Sequence, residues 1–250
     1  MIFATMAVLT AVLSAVPTEA QCVDAGSPEA AADLTKLLPL LAEREAAVSK
    51  FNQFIEVQTD EPLDSHDKPS HVMIAQSRVT IGAGQKEKRE VLSATRDGQD
   101  VTAKRKKMVE DDEKKAASDK QDSLELSFDN PFKSSAQARY RYQLLGKSQR
   151  KPGAVRIHLE PKGKPSQNLL IGDAEVDPST GDVLMIQARP SEFPPQVSTL
   201  DVTMTFDAST PSGLALSKVV VLGEGGFLFF RSKMRTTVTC AEHRAVSLVE

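Results

Sequence analysis

The clearest pattern in the chain is a series of short strand-like segments, rich in apolar residues, between residues 139 and 239, with no helical period among them. Clusters of Gly, Pro, Asp and Ser separate the segments, and strands divided by such turn signals are typical of a large antiparallel meander or open barrel. The predicted strands are residues 139–145, 154–160, 169–176, 182–189, 200–206, 218–222 and 227–239. The predicted turns include Gly146, residues 177–181 and residues 224–226.

The first half of the chain has a different rhythm. Apolar residues recur at helical spacing over residues 27–52, where Ser27 and Pro28 are a typical helix start. Pro39 predicts a kink or two short helices that meet there. Three further strands are predicted, and the Asp97-Gly98 pair predicts a tight turn after the third. Those strands are residues 54–58, 71–81 and 86–95, with a polar connection over 59–70.

Residues 100–120 alternate basic and acidic blocks and contain few large apolar side chains. This composition predicts an exposed, charged helical insert. Its basic run, residues 104–107, is balanced by the acidic run that follows, which argues against a strong attraction to anionic lipid.

Several predicted strands carry aliphatic residues on both faces, because apolar residues are consecutive over 169–171, 183–186, 219–222 and 227–230. A sheet with one face in water would alternate. The pattern therefore predicts an α+β fold: a curved antiparallel sheet of about ten strands, with helices over its concave face. Two alternatives remain for that face: it lines an apolar groove, or both faces are packed as ordinary core.

Composition narrows the function. The hydrophobic fraction is 40% and the net charge is −3, so a normal core is available and no basic surface for nucleic acid is expected. With no Trp and two Tyr, base-stacking platforms are not expected either. We expect a single domain over residues 21–250.

The N-terminus predicts secretion. Residues 2–16 are almost wholly apolar, Pro17 follows, and Ala20 offers a cleavage position, so residues 1–20 are expected to be a signal peptide. The n-region has no Lys or Arg, and a membrane anchor is the alternative, although the run is short for a span. The predicted compartment is the periplasm.

The two cysteines, Cys22 and Cys240, lie near the two ends of the mature chain. In an oxidising compartment they predict a disulfide, and two unrelated thiols are the alternative. Lipidation at Cys22 is disfavoured because Gln21 precedes it where a small residue is usual.

Residues that could carry chemistry form no recognised site. His66 and His71 flank a loop with acidic residues, but their spacing matches no compact metal-ligand pair. Asp173, Glu175 and Asp177 alternate along one strand, which indicates a shared solvated face. The chain has no nucleophile elbow and no phosphate-binding glycine loop. We therefore expect no enzyme activity, no cofactor and no bound metal.

Three blocks resemble the LolA-like outer-membrane lipoprotein-sorting family. These are residues 140–146, residues 155–162, which end in Pro-Lys, and residues 172–184, which contain Val-Asp-Pro followed by a tight turn. Asn130-Pro131-Phe132 also fits, and the resemblance covers roughly residues 55–239. It implies an open half-barrel with helices over the concave face and binding of acyl chains. The insert over 100–120 and the two cysteines depart from the family's pattern, and no counterpart of the family's lid-gating arginine is assigned.

The resulting hypothesis is non-catalytic binding or transport of a lipid or acylated protein in an apolar groove. The alternative is a cell-envelope scaffold or protein-interaction domain with a filled core. From alternation, the predicted groove residues are Val72, Ile74, Leu144, Ile157, Leu159, Val202, Met204 and Phe206.

Overall fold

The structure is a computed structural model that describes residues 28–82, 87–118, 130–227 and 230–247. In chain order its helices are α1 (Pro28–Val48), α2 (Thr102–Ser118) and the single turn α3 (Ser134–Gln137). The first four strands are β1 (Gln53–Leu63), β2 (Met73–Ile81), β3 (Glu87–Arg96) and β4 (Gln99–Asp100). The others are β5 (Tyr140–Lys147), β6 (Val155–Pro161), β7 (Leu170–Val176), β8 (Val183–Pro190), β9 (Val197–Thr210), β10 (Gly213–Phe227) and β11 (Phe230–Arg244).

The described strands form one open antiparallel sheet in the order β4-β3-β2-β1-β11-β10-β9-β8-β7-β6-β5. Two meanders, β1 to β4 and β5 to β11, meet where β1 pairs with β11. This confirms a single large antiparallel sheet with a few helices. The strand that the sequence did not predict is the two-residue β4, which follows the predicted Asp97-Gly98 turn, where both residues have positive φ.

Two predicted turns are wrong. Gly146 lies inside β5 at a register shift against β6, and residues 224–226 lie inside β10, which continues to Phe227. In these strands glycine does not form a turn; it permits an unusual backbone conformation or the close approach of a neighbouring strand. Gly146 has a φ of 100°, and a Cβ at Gly225 would lie 2.5 Å from the Gln196 carbonyl oxygen. The polar connection predicted from residue 59 also starts too early, because β1 continues to Leu63.

The two predicted helices are present. α1 is one helix with Pro39 inside it, and α2 occupies the predicted charged insert. The predicted signal peptide, Ser27 and residues 228–229 lie outside the described residues.

Strand register assigns every described strand position to one of two faces, because directly paired residues project to the same side of a sheet. One unbroken row of pairs crosses ten strands, and we call the face that it marks the inner face. The row is Leu144, Ile157, Ala174, Ile186, Met204, Val219, Val238, Gln58, Ala75 and Ala94. The opposite side, the outer face, is largely polar.

The main core lies between α1 and the inner face of β5 to β8. Leu37 and Leu41 of α1 pack in one cluster with Ile157 and Leu159, and all four are buried. At the other end of the sheet α2 contacts β3, whose inner-face residues are also buried. The inner face is therefore buried at both ends of the sheet. Its middle part, on β9, β10 and β11, lies between these two buried regions.

Gly172 permits the close approach of β7 and β8 within this core. A Cβ there would lie 2.2 Å from the Gln187 carbonyl oxygen and 2.6 Å from Ala188 Cα, both backbone atoms. We expect Gly172→Ala to lower the free energy of unfolding by about 2 kcal/mol, because the strands must move apart. Urea denaturation measures the change, and Gly163→Ala is the control, since nothing lies within 4 Å of its Cβ position. Equal stability of the two variants would contradict this packing.

Candidate functional site

The middle of the inner face carries a strip of partly exposed apolar side chains. Met204 and Phe206 belong to β9, Val219 and Val221 to β10, and Val238 to β11, and all five are half-buried. Pairing of Met204 with Val219 and of Val219 with Val238 makes them neighbours across three strands. We call these five residues the central strip. It continues from the core under α1, because Met204 and Phe206 also pack against that cluster.

Polar side chains border the strip on β1. Asp60 Oδ1 accepts hydrogen bonds from Gln58 Nε2 at 3.0 Å and from Thr236 Oγ1 at 2.8 Å. Two residues before Gln58 on the same strand, the buried Glu56 forms an ion pair with Arg89. These polar groups are hydrogen-bonded or ion-paired with one another, so they form a polar boundary of the strip and do not need a ligand as a partner.

Arg44 attaches the C-terminal half of α1 to two turns at the end of the sheet. Its Nε donates to the Thr180 carbonyl oxygen at 3.0 Å, its Nη1 donates to the Ser212 carbonyl oxygen at 2.6 Å, and Asp182 Oδ1 lies 3.2 Å from Nε. The helix approaches the first turn so closely that a Cβ at Gly181 would lie 2.7 Å from Leu40 Cγ. Gly181, with a φ of 74°, closes the turn that the sequence predicted.

A second attachment lies nearer the middle of α1. Gln137 Nε2 donates to the Leu38 carbonyl oxygen at 2.7 Å and to the Phe132 carbonyl oxygen at 3.1 Å. Between the two attachments, α1 contacts the sheet through apolar side chains of the core cluster. A helix held by apolar packing and a few polar contacts is an element that local changes can loosen.

Six of the eight predicted groove residues share the inner face. Leu144, Ile157, Leu159 and Val202 are buried there, whereas Met204 and Phe206 lie at the edge of the core and belong to the central strip. The structure thus places four of the six among packed core residues.

The other two predicted residues do not join them. Ile74 pairs with Thr59 and Thr95, lies on the outer face and is 41% exposed, so it cannot line a groove on the inner face. Val72 precedes β2, and its backbone N–H donates to Asp97 Oδ1 at 2.8 Å. The prediction chose the wrong parity on β2, where the alternate residue Ala75 faces inward.

Cys240 lies buried on the inner face, paired with Glu56. Burial raises the pKa of its thiol to about 12, and the nearby Glu56 carboxylate acts in the same direction. Cys22 lies outside the described residues, so the Cys22–Cys240 disulfide stays a prediction.

The shared face predicted for Asp173, Glu175 and Asp177 holds for two of the three carboxylates. Asp173 and Glu175 share the outer face, but Asp177 lies in the turn after β7, where its Oδ1 accepts hydrogen bonds from Ser179. Those bonds lower the pKa of Asp177. Within the described ranges no cluster of three His, Cys, Asp or Glu side chains could hold a metal ion, and no helix is long and apolar enough to cross a membrane.

Sequence reasoning missed Val219, Val221, Val238 and Arg44. Val219 and Val221 lie in a run of consecutive apolar residues, so alternation gave no signal for which of them face inward. Val238 lies between two threonines, and its alternation with Met234 and Cys240 is a signal that could have found it. Arg44 contacts residues more than 130 positions away, and no local pattern indicates such a partner.

Comparison with known proteins found no matching family model and no matching curated protein. Among solved structures, one similar chain is a domain from Vibrio parahaemolyticus described as an outer membrane lipoprotein-sorting protein, with 12% identity and a TM-score of 0.43. The similarity covers 85% of this chain and 93% of that one.

Two other similar structures contain MucB. MucB in complex with the periplasmic part of MucA has 11% identity and a TM-score of 0.21, covering 86% of this chain and 95% of that one. The MucA/MucB complex of Pseudomonas aeruginosa has 12% identity and a TM-score of 0.22, covering 87% and 95%. Similarities of this size carry no conclusion about what this chain binds.

Proposed function

We propose that this protein binds an acyl chain, without catalysis, along the central strip of the inner face. The observation that supports the proposal is the half-exposed apolar surface of Met204, Phe206, Val219, Val221 and Val238, which lies between two buried ends of one sheet face. The resemblance of the sequence to lipoprotein-sorting proteins points to the same ligand chemistry. In this proposal the sheet is the open half-barrel of that family, with the strip on its concave side.

The dimensions of the strip suit one acyl chain. From Val202 to Phe206 the floor runs about 13 Å along β9, and three strands make it about 10 Å wide. Each buried methylene contributes about 0.8 kcal/mol, so a chain lying on this floor would be held reversibly. Reversible binding suits a protein that takes up and releases a lipid or an acylated protein in the periplasm.

The core under α1 determines how a longer chain would enter. Ile157 and Leu159 have no exposed surface, so the space beside them is filled by Leu37 and Leu41 while α1 is in place. An acyl chain that extends beyond the central strip must displace α1. Displacing the helix costs free energy, and the polar part of this cost is the loss of the Arg44 hydrogen bonds.

The same filled core supports the second candidate function, a protein-interaction domain of the cell envelope. If α1 stays in place, the packed cluster of Leu37, Leu41, Ile157 and Leu159 is ordinary core. A protein partner then binds the surface, and the acyl chain has no role.

Native mass spectrometry of the mature protein, purified from an envelope fraction without detergent, separates the two functions. We expect an added mass that matches a phospholipid or an acylated species, lost on mild collisional activation. A bare protein mass that persists after incubation with phospholipid vesicles would overturn acyl binding and favour the interaction domain. The same spectrum tests the disulfide, because oxidation of Cys22 and Cys240 removes two hydrogen atoms.

A further inference from the structure

The outer face has a polar cavity of about 180 Å³, remote from the inner-face strip. Its floor is built from two rows of paired residues on β6, β7 and β8, and the loop after β5 forms its wall. The loop is held by Ser148 Oγ, which accepts hydrogen bonds from the backbone N–H groups of Arg150 at 3.1 Å and Lys151 at 3.2 Å. The lining residues are Gln149, Arg150, Arg156, Asp173, Glu175, Met185 and Gln187.

Glu175 is the unusual member of this lining. It is 8% exposed, yet its carboxylate has no hydrogen bond and no ion pair among the residues that the structure describes. Because no buried side-chain oxygen of the described residues lacks a hydrogen-bond partner, the Glu175 oxygens open into the cavity. A carboxylate that opens into a cavity and has no protein partner is available to the cation or hydrogen-bond donor of a ligand.

The neighbouring Asp173 shows what a satisfied carboxylate looks like at the same site. Arg156 Nη2 donates to its Oδ2 at 2.7 Å, and His158 Nδ1 lies 2.7 Å from its Oδ1. Although burial opposes the effect, these hydrogen bonds lower the pKa of Asp173. Arg156 is therefore hydrogen-bonded to Asp173, and within the described residues no ion pair joins it to Glu175, its direct cross-strand neighbour.

Arg150 supplies the opposite charge. Its Nη1 lies 3.4 Å from Met185 Sδ, and no carboxylate of the described residues forms an ion pair with it. The cavity thus has one unpaired guanidinium and one unpaired carboxylate that do not neutralise each other. Their natural complement is a molecule with an ammonium group and an anionic group.

We propose that the outer-face cavity binds a small zwitterion, with its ammonium group on Glu175 and its carboxylate or phosphate on Arg150. Gln149 and Gln187 add amide donors and acceptors for the rest of the ligand. The cavity of about 180 Å³ has room for several water molecules, a size that suits an amino acid or a phosphoethanolamine group. The proposal is independent of acyl binding on the inner face.

Isothermal titration calorimetry with four probes tests the charge pattern. Glycine and phosphoethanolamine are zwitterions, ethanolamine has only the cation, and inorganic phosphate has only the anion. We expect at least one zwitterion to bind about tenfold more tightly than both single-charge probes. Phosphate binding as tightly as phosphoethanolamine would mean an adventitious ion only, and no binding of any probe would also overturn the proposal.

Variants show whether binding occurs at this cavity. Glu175→Gln and Arg150→Gln should each weaken zwitterion binding about tenfold. Arg141→Gln and Glu160→Gln are matched controls, because this exposed ion pair lies on the outer face of β5 and β6 and does not line the cavity. Unchanged binding in both cavity variants would overturn the site. Arg150 lies in a surface loop, so its variant folds even if Glu175→Gln does not.

Stability without ligand separates a binding role of Glu175 from a structural one. We expect Glu175→Gln to leave the midpoint of thermal unfolding unchanged, because the carboxylate oxygens open into the cavity and form no hydrogen bond or ion pair within the described residues. A lower midpoint would mean that the carboxylate supports the fold, and this would overturn its assignment to a ligand. Binding of phosphatidylethanolamine vesicles compared with free phosphoethanolamine shows whether the zwitterion is a lipid head group or a soluble molecule.

Discussion

Val221→Asp is expected to weaken acyl binding about hundredfold while the protein stays folded. Val221 is paired with Val202 and Thr236 on the inner face and lies in the central strip. A carboxylate there must lose water when a chain covers it, and that cost opposes binding. The Val221 side chain is partly exposed in the free protein, so a carboxylate at this position reaches water until a ligand binds. Titration of a pyrene-labelled fatty acid, followed by fluorescence, measures the change.

The chain offers a closely matched control in the preceding residue. Val220 is also a half-buried valine of β10, but it pairs with Thr203 and Thr237 on the outer face. Val220→Asp should therefore bind the labelled fatty acid as the unchanged protein does. Equal loss in both variants would point to general damage of β10, and no loss in either would remove the central strip as the binding surface.

This pair of valines also shows where sequence reasoning ends. The apolar run at residues 219–222 correctly predicts a strand, but every position in it is aliphatic. Alternation has no contrast to read there, and only the pairing with β9 and β11 assigns Val219 and Val221 to one face and Val220 to the other.

Turn chemistry was predictable where it depends on local backbone and failed where glycine serves packing. Asp177 and Gly181 form the predicted turn, since the aspartate caps it and the glycine takes a positive φ. Gly225 looks the same in sequence but lies within β10, because its missing side chain admits the backbone of Gln196. A single sequence does not separate these two uses of glycine.

Long-range contacts explain the remaining difference. The pairing of β1 with β11 joins residues more than 170 positions apart, and it brings the polar Asp60 beside Thr236 at the border of the strip. The predicted groove could therefore be listed only as alternating apolar positions, without its polar boundary. The same reasoning misplaced Ile74, because β2 carries aliphatic residues at both parities.

The two faces of the sheet therefore differ in what they offer a ligand. On the inner face the side chains of Asp60, Gln58 and Thr236 form hydrogen bonds with one another. The apolar surface of the central strip is only partly covered, so a ligand would bind there by covering it. The outer face is largely polar, and within the part of the chain that the structure describes Glu175 and Arg150 form no ion pair. Variants on one face should leave binding on the other face unchanged, because the two sites lie on opposite faces of the same sheet.

Arg44→Ala is expected to lower the free energy of unfolding by about 3 kcal/mol and to increase binding of long acyl chains. The change removes two hydrogen bonds to turn carbonyls and leaves Asp182, whose side chain is 13% exposed, without its cation. α1 then keeps its apolar contacts and the Gln137 hydrogen bond, so it opens more often without leaving the sheet. Urea denaturation and fatty-acid titration measure the two effects.

Hydrogen exchange decides whether α1 is the part that moves. In Arg44→Ala the amides of α1 should exchange faster while those of β6 and β7 keep their protection, because the lost contacts join the helix to two turns and leave the strand pairing intact. Glu43→Ala is the control, since Glu43 is the exposed neighbour of Arg44 on the same helix. If exchange rises equally throughout the sheet and chain binding does not increase, α1 is a fixed part of the core. The acyl chain would then be confined to the central strip, and the interaction domain would be the better account of the protein.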